Sequence, residues 1–252
     1  MIYITGDTHC DFSRFDIGKF PIQKEMTKDD YVIICGDFGG VWNYITESMY
    51  EKQWLDWLES RNFTTLFIDG NHENFTRLYN YPVEAWHGGK VHKIRDSVLH
   101  LMRGEIFDID NKKIFAFGGA QSHDIQDGIL SLDEEEKIYG YRKRGAFFRI
   151  KDYSWWDLEL PTDKEMKNGS KNLEKVDYKV DYIITHCCPT SMQTLLNPSY
   201  KIDVLTDYLQ EISEKCKFKK WYFGHYHDNK QVNSQFVLLY EDIVPLEYES
   251  IF

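Results

Sequence analysis

The sequence predicts an α/β fold with buried strands, and three observations carry that expectation. Short apolar runs recur along the 252 residues, separated by polar and helical stretches. Capped amphipathic segments fall between several of these runs. Hydrophobic residues make up 42% and aromatics 16%, enough for a sizeable core and outside the range of disordered chains. With no internal repeat, low-complexity tract or Gly/Ser linker, the expectation is one domain over residues 1–252.

Taken in order, residues 2–5 (Ile-Tyr-Ile-Thr) read as a strand running into Gly6-Asp7-Thr8-His9, and residues 32–35 as a strand running into Gly36-Asp37. A helix begins at Ser48, where Ser48 and Glu51 form a capping box and Tyr50, Trp54, Trp57 and Leu58 share a face. The run 66–68 leads into Asp69-Gly70-Asn71-His72. From about residue 91 to 118 the pattern becomes a meander of consecutive strands (98–101, 105–109, 113–117), with Asp110-Asn111 as a turn. Residues 121–160 fit neither pattern and read as a surface excursion or lid, with an acidic run at 133–136 and a basic run at 142–144, both expected to be solvated. A second capping box is Thr162 with Glu165. The strand 182–185 runs into His186. Ile202, Leu205, Leu209 and Ile212 mark a helix feeding the strand 221–223, which runs into Gly224-His225-Tyr226-His227. Outside the meander the expected order is β-α-β.

Charge and cysteine content narrow the function. Lys and Arg number 30 against 41 Asp and Glu, a formal charge of −11 that repels bare nucleic acid and anionic membrane unless a local field overrides it. A nonspecific nucleic-acid coat protein is disfavoured. Five cysteines without CxxC spacing indicate neither a disulfide framework nor a cysteine-based zinc site, and a reducing compartment is expected. No apolar run approaches the ~18 residues of a membrane span, and the first residues read as a strand rather than a signal sequence. The expected location is the cytoplasm, with no membrane partner.

Ligands of open α/β sheets bind at the carboxyl ends of the strands. Here those ends carry Asp7, His9, Asp37, Asn71, His72, His186, His225 and His227. A mixed oxygen and nitrogen set of this kind suits Mn, Fe, Zn or Ni better than calcium or a thiolate-bound metal. It also exceeds what one ion needs, so two neighbouring divalent ions sharing a carboxylate are expected, with Asp37 the natural bridge. Asp7 with His9, and His225 with His227, are i, i+2 pairs whose members would face one way in extended geometry. Gly6, Gly36, Gly70 and Gly224 precede the ligands and would let the backbone turn and approach closely.

The strings Gly-Asp-Thr-His (6–9), Gly-Asp (36–37), Gly-Asn-His-Glu (70–73), Thr-His (185–186) and Gly-His-Tyr-His (224–227) resemble the calcineurin-like metallophosphoesterases, in order and in context. The resemblance implies a four-layer αββα sandwich, two mixed sheets flanked by helices, with a dinuclear site at the strand ends. It places Asp7, His9, Asp37 and His227 around the first ion and Asp37, Asn71, His186 and His225 around the second. It also makes His72 the group that stabilises developing charge or protonates the leaving oxygen. Two ions about 3.5–4 Å apart can lower the pKa of a bridging water, and the resulting hydroxide attacks phosphorus in line. Such ions reverse the local field, so an anionic phosphate ester, nucleotides included, can enter an acidic protein.

Weaker signals bear on the substrate. Gly118-Gly-Ala (118–120), Ser122, Arg149, Ser154-Trp-Trp (154–156) and Glu159 resemble a bacterial and phage-borne branch of the superfamily. Arg149 offers a planar fork for phosphate oxygens, and Trp155 and Trp156 either wall a base or sugar or pack the excursion onto the sandwich. Cys10-Asp11 and Phe38-Gly39-Gly40-Val41 stand where the protein Ser/Thr phosphatase branch carries a glycine and an Asp-Arg-Gly, which places that activity behind a generic phosphodiesterase or phosphomonoesterase. His87, His92, His100 and His123, and Cys35, Cys187 and Cys188, read as packing residues. A single-strand nuclease using Arg142, Lys143, Arg144, Arg149 and the Trp pair is the second reading. A noncatalytic scaffold on the same fold is the reading from another class.

Overall fold

The computed structural model describes residues 1–247. Its first strands are β1 (Ile2–Thr5), β2 (Tyr31–Ile34), β3 (Thr64–Phe67), β4 (Val83–Trp86), β5 (Gly89–Arg95) and β6 (Val98–Leu101). The middle of the chain adds β7 (Glu105–Ile109), β8 (Lys112–Phe117), β9 (Gly128–Leu130) and β10 (Phe148–Ile150). The last part contributes β11 (Tyr182–Thr185), β12 (Lys220–Phe223), β13 (Lys230–Gln231), β14 (Phe236–Leu238) and β15 (Ile243–Pro245). One seven-stranded sheet has the order β15-β1-β2-β3-β6-β5-β4, and a six-stranded sheet has the order β13-β14-β12-β11-β8-β7. In each sheet the central strands are parallel and the edges antiparallel.

The strands read as continuous apolar runs because both of their faces are buried. Ile2, Ile4, Ile33 and Leu66 of the first sheet meet Ile114, Ala116, Tyr182, Ile184 and Tyr222 of the second in one core between the sheets. The alternate residues Val32, Ile34 and Phe67 face outward onto Phe12, Phe15, Leu55 and Leu58. Those of the second sheet, Phe115, Phe117, Ile183, Trp221 and Phe223, face Leu173, Leu205, Leu209 and Ile212. Period-two side-chain alternation across two stacked sheets thus produces three apolar layers and the four-layer αββα sandwich.

The helices are α1 (Met49–Glu59), α2 (Phe75–Leu78), α3 (Glu135–Lys143), α4 (Asp163–Lys175), α5 (Thr190–Leu196) and α6 (Val204–Lys215). Both expected capping boxes form, Ser48 with Glu51 and Thr162 with Glu165. The expected faces shift. In α1 the buried positions are Glu51, Leu55 and Leu58, whereas Tyr50 is exposed. Ile202 is exposed and lies outside α6, whose N-cap is Asp203, accepting from the backbone N–H groups of Leu205 and Thr206.

Three further expectations are corrected. Strands 98–101, 105–109 and 112–117 exist, but they are not one meander: β6 pairs with β3 and β5, while β7 and β8 form a hairpin in the other sheet. The Asp110-Asn111 turn closes that hairpin with both residues at positive φ (52° and 59°), whose twist suits a two-residue connection. Between β1 and β2 the connection holds two short 3-10 turns, Ser13–Phe15 and Pro21–Lys24, in place of an α-helix. The excursion is ordered. β9 and β10 pair in parallel and α3 packs Ile138 against Leu130 and Ile150. Its charge runs sit at the two ends of α3, acidic residues in the first turn and basic ones in the last, complementing the helix dipole. Among the described residues no helix is long and apolar enough to cross a membrane.

Candidate metal centre

Because β1, β2 and β3 of one sheet and β11 and β12 of the other are parallel within their sheets, their following loops can converge at one edge of the sandwich. One ligand-capable atom from each of Asp7, His9, Asp37 and His227 lies within 4.8 Å of all the others. His227 Nε2 is 3.2 Å from Asp7 Oδ2 and 3.2 Å from His9 Nε2, and His9 Nε2 is 3.8 Å from Asp37 Oδ2. The two carboxylates are buried and His227 is exposed, so the group opens to solvent on one side.

On the other side of Asp37, His186 Nε2 stands 3.3 Å from Asp37 Oδ1, and the His186 ring is 4.9 Å from that of His225. The structure therefore brings Asp7, His9, Asp37, His186, His225 and His227 together, and the backbone N–H of His72 donates to Asp37 Oδ1 at 2.8 Å. Asn71 joins them through its neighbours, since Gly70 packs directly on the Asp37 carboxylate.

The residues fit a divalent cation on independent grounds. His186 Nδ1 donates to the Cys35 carbonyl at 2.7 Å, which fixes the tautomer and leaves Nε2 as a lone-pair donor. That Nε2 is fully buried and faces the Asp37 carboxylate at 3.3 Å without hydrogen-bond geometry to any group. Asn71 Oδ1 is likewise buried and unpartnered, its Nδ2 being spent on Ser122 Oγ at 3.4 Å. Buried polar atoms of native proteins are normally satisfied, so two orphaned electron-pair donors on the Asp37 side call for a cation. Burial opposes a charged His186, yet the Asp37 and Asp7 carboxylates pull its pKa up to about 10. Without a cation, the same carboxylates draw a proton onto His186 instead, a proton that a bound metal would displace. Burial would likewise raise Asp37, but His186, His72 and His9 hold it well below the usual carboxylate range.

The local backbone explains how the side chains converge. The i, i+2 pairs are not extended as expected: His9, Asp37, His225 and His227 all have left-handed φ (45°, 45°, 71° and 49°). Each such non-glycine residue costs about 1–3 kcal/mol and persists only where the surroundings impose it. The imposing contacts are visible. Arg14 donates to the Asp7 carbonyl at 2.6 Å and to Thr5 Oγ1 at 2.8 Å, and Glu73 accepts the backbone N–H groups of Phe38 (2.7 Å) and Gly39 (3.3 Å). Asp7 itself accepts the N–H of His225. A Cβ at Gly70 would collide with the Asp37 carboxylate, and one at Gly224 with that of Asp7.

Residues beyond the sequence reading complete the site. Asp69 is fully buried and bonded by Arg103 Nε (2.8 Å) and His100 Nε2 (3.0 Å), and His100 in turn meets His92. Both histidines are buried, but His100 also bonds a carboxylate, a polar role the packing reading did not give it. Trp42 lies 5.5 Å from the His72 ring and is backed by Trp156, which is buried and donates to Thr76. Trp155 is half-buried in the turn after β10, so the indole beside His72 is Trp42. Arg149, carried in by β10, is paired with Asp124 at 2.6 Å and has Nη2 3.5 Å from His72 Nε2. His123, read as a packing residue, lies against His225 with ring centroids 4.5 Å apart. Trp42 and Arg14 carried no periodic or spacing signal of their own, whereas Glu73 closes the Gly-Asn-His-Glu motif and Asp69 precedes it.

The sandwich of two mixed sheets thus carries, at its parallel strand ends, a carboxylate and imidazole cluster suited to a divalent metal. Residues 1–229 match the calcineurin-like phosphoesterase family, and the chain belongs to it. A comparison with curated proteins finds no match.

Proposed function

We propose that the protein hydrolyses phosphate mono- or diesters with two divalent cations, Asp7, His9, Asp37 and His227 holding one and Asp37, Asn71, His186 and His225 the other. The observation that carries this reading is the pair of orphaned donors, His186 Nε2 and Asn71 Oδ1, beside the shared carboxylate of Asp37. When bound, two such cations would supply Lewis acidity toward phosphate oxygens and lower the pKa of water. Asp7 and Asp37 provide the negative charge that keeps divalent ions in an otherwise imidazole-rich pocket.

His72 acts on the leaving group. Burial lowers its pKa, outweighing Asp37, so at neutral pH it is a neutral ring able to donate one hydrogen bond to a developing oxyanion. Arg149 lies beside it as a permanent cation that grips a non-bridging phosphate oxygen, and Trp42 shields the imidazole from water. Residues 121–160 act as a lid of the single domain, delivering Arg149. Mn, Fe, Zn and Ni all suit the donor set. The five cysteines are free and buried, which supports a cytoplasmic setting.

The nuclease reading is weaker because its basic run is partly spent on neighbours: the Arg144 guanidinium sits 4.0 Å over the Tyr141 ring and 3.8 Å from Asp127. The test is hydrolysis of p-nitrophenyl phosphate and bis-p-nitrophenyl phosphate with added Mn. Turnover that chelator abolishes and Mn restores is the expected result. Absence of turnover with every one of Mn, Fe, Zn and Ni overturns the reading.

A further inference from the structure

A cavity of about 420 Å³ opens beside His225, a size typical of small-molecule sites. One wall is aromatic. The His123 ring lies 4.5 Å from that of His225, inclined by 32°, and 5.6 Å from that of Tyr200, inclined by 24°. Tyr200 is backed in turn by Tyr226 at 5.3 Å.

The wall is held in place by bonds that leave other groups unspent. Gln193, which lines the cavity floor, donates to the Lys201 carbonyl at 2.8 Å and accepts from the Tyr226 hydroxyl at 2.8 Å. The segment carrying Tyr200 is thereby tied to α5 and to the loop after β12. By contrast, the amides of Gln121 and Gln126 line the same cavity and make no side-chain hydrogen bond among the described residues. Each amide offers both a donor and an acceptor pair.

We propose that this cavity receives the nucleoside part of a nucleotide, an inference that rests on the phosphoesterase reading and names its substrate class. His225 belongs both to the candidate centre and to the cavity wall, so a phosphodiester whose leaving oxygen faces His72 directs its other ester substituent into the cavity. Near-parallel aromatic rings favour a flat heteroaromatic ring over an aliphatic or peptide group. The two uncommitted amides match the mixed donors and acceptors along a base edge. A bare sugar phosphate would reach the centre and leave the aromatic wall unused.

The test is equilibrium binding to the full chain in Mn by titration calorimetry. The probes are an adenosine 5′-phosphonate, with methylene replacing the ester oxygen, and the corresponding ribose 5-phosphonate. Neither analogue can be hydrolysed at that position, so the readout is independent of turnover. The nucleoside analogue is expected to bind about 10-fold tighter, the scale of one base-stacking contact. Tyr200→Leu should remove that preference while leaving the ribose analogue's affinity in place, and Gln126→Ala, on a separate exposed segment, should weaken only the nucleoside analogue. Equal affinity of wild type for the two analogues, binding of neither, or equal loss for both in the variants overturns the proposal. A base preference without turnover of any phosphate ester would keep this proposal and remove the hydrolytic reading alone.

Discussion

At the scale of single residues, the distinction that matters is between groups that hold cations and groups that act on the substrate. Asp37 contacts both halves of the centre, so Asp37→Asn is expected to reduce bound metal and rate together. His72 meets the centre through its backbone N–H to Asp37 and an edge contact of its ring with His9, while the ring also faces Arg149 and Trp42. His72→Ala should therefore lower kcat by about 10²–10³-fold, the usual loss when one donor to a developing oxyanion is removed, with metal content unchanged. Metal analysis by plasma mass spectrometry beside kinetics separates the two, and the opposite pattern would exchange the roles. The clustered residues stood out in the sequence because they lie at the ends of apolar runs, most of them just past a glycine and His186 after Thr185. Their geometry was not legible: four of these residues adopt left-handed φ, which no spacing rule encodes for Asp or His. Trp42 escaped notice because a lone indole in a loop has no periodicity to mark it.

At the scale of elements, the loop after β3 depends on a buried charge network. Burial alone would raise the Asp69 carboxyl, but Arg103 and His100 hold it well below the usual range. Arg103 also donates to the Leu158 carbonyl at 2.7 Å, tying that loop to the segment after the excursion. Arg103→Met leaves a buried carboxylate short of its partner and is expected to cost about 3–5 kcal/mol in urea unfolding. A loss under ~1 kcal/mol would show that the network does not anchor the loop. Helix starts were readable at Ser48 and Thr162 because capping is local chemistry. The division of residues 98–117 between two sheets was not, because strand partners are chosen by distant residues, β3 for β6 and β11 for β8. The excursion looked irregular because α3 buries only Ile138 and shows little amphipathic pattern.

At the scale of the whole molecule, the two sheets bring distant parts of the chain together, with Asp7 and His227 sharing one site, as their ring and carboxylate contact at 3.2 Å requires. The excursion adds Glu159, a buried carboxyl whose pKa burial raises to about 8, only partly offset by hydrogen bonds from Ser122. The folded protein therefore binds a proton that the unfolded chain releases near its ordinary value of 4.5. The stability tied to that proton is present below about pH 4.5 and is lost as pH rises through about 8. Thermal melts at fixed metal should show wild type losing stability across this window and Glu159→Gln losing less. Identical slopes would mean that Glu159 is ionised in the fold.

Diffraction from crystals grown with Mn, recorded at an energy where manganese scatters anomalously, addresses the central claim most directly. Two anomalous peaks flanking the Asp37 carboxylate are predicted, one against His9 and His227 and the other against His186 and Asn71. A difference map with no peak there, or with Asn71 Oδ1 and His186 Nε2 satisfied by water alone, would contradict it.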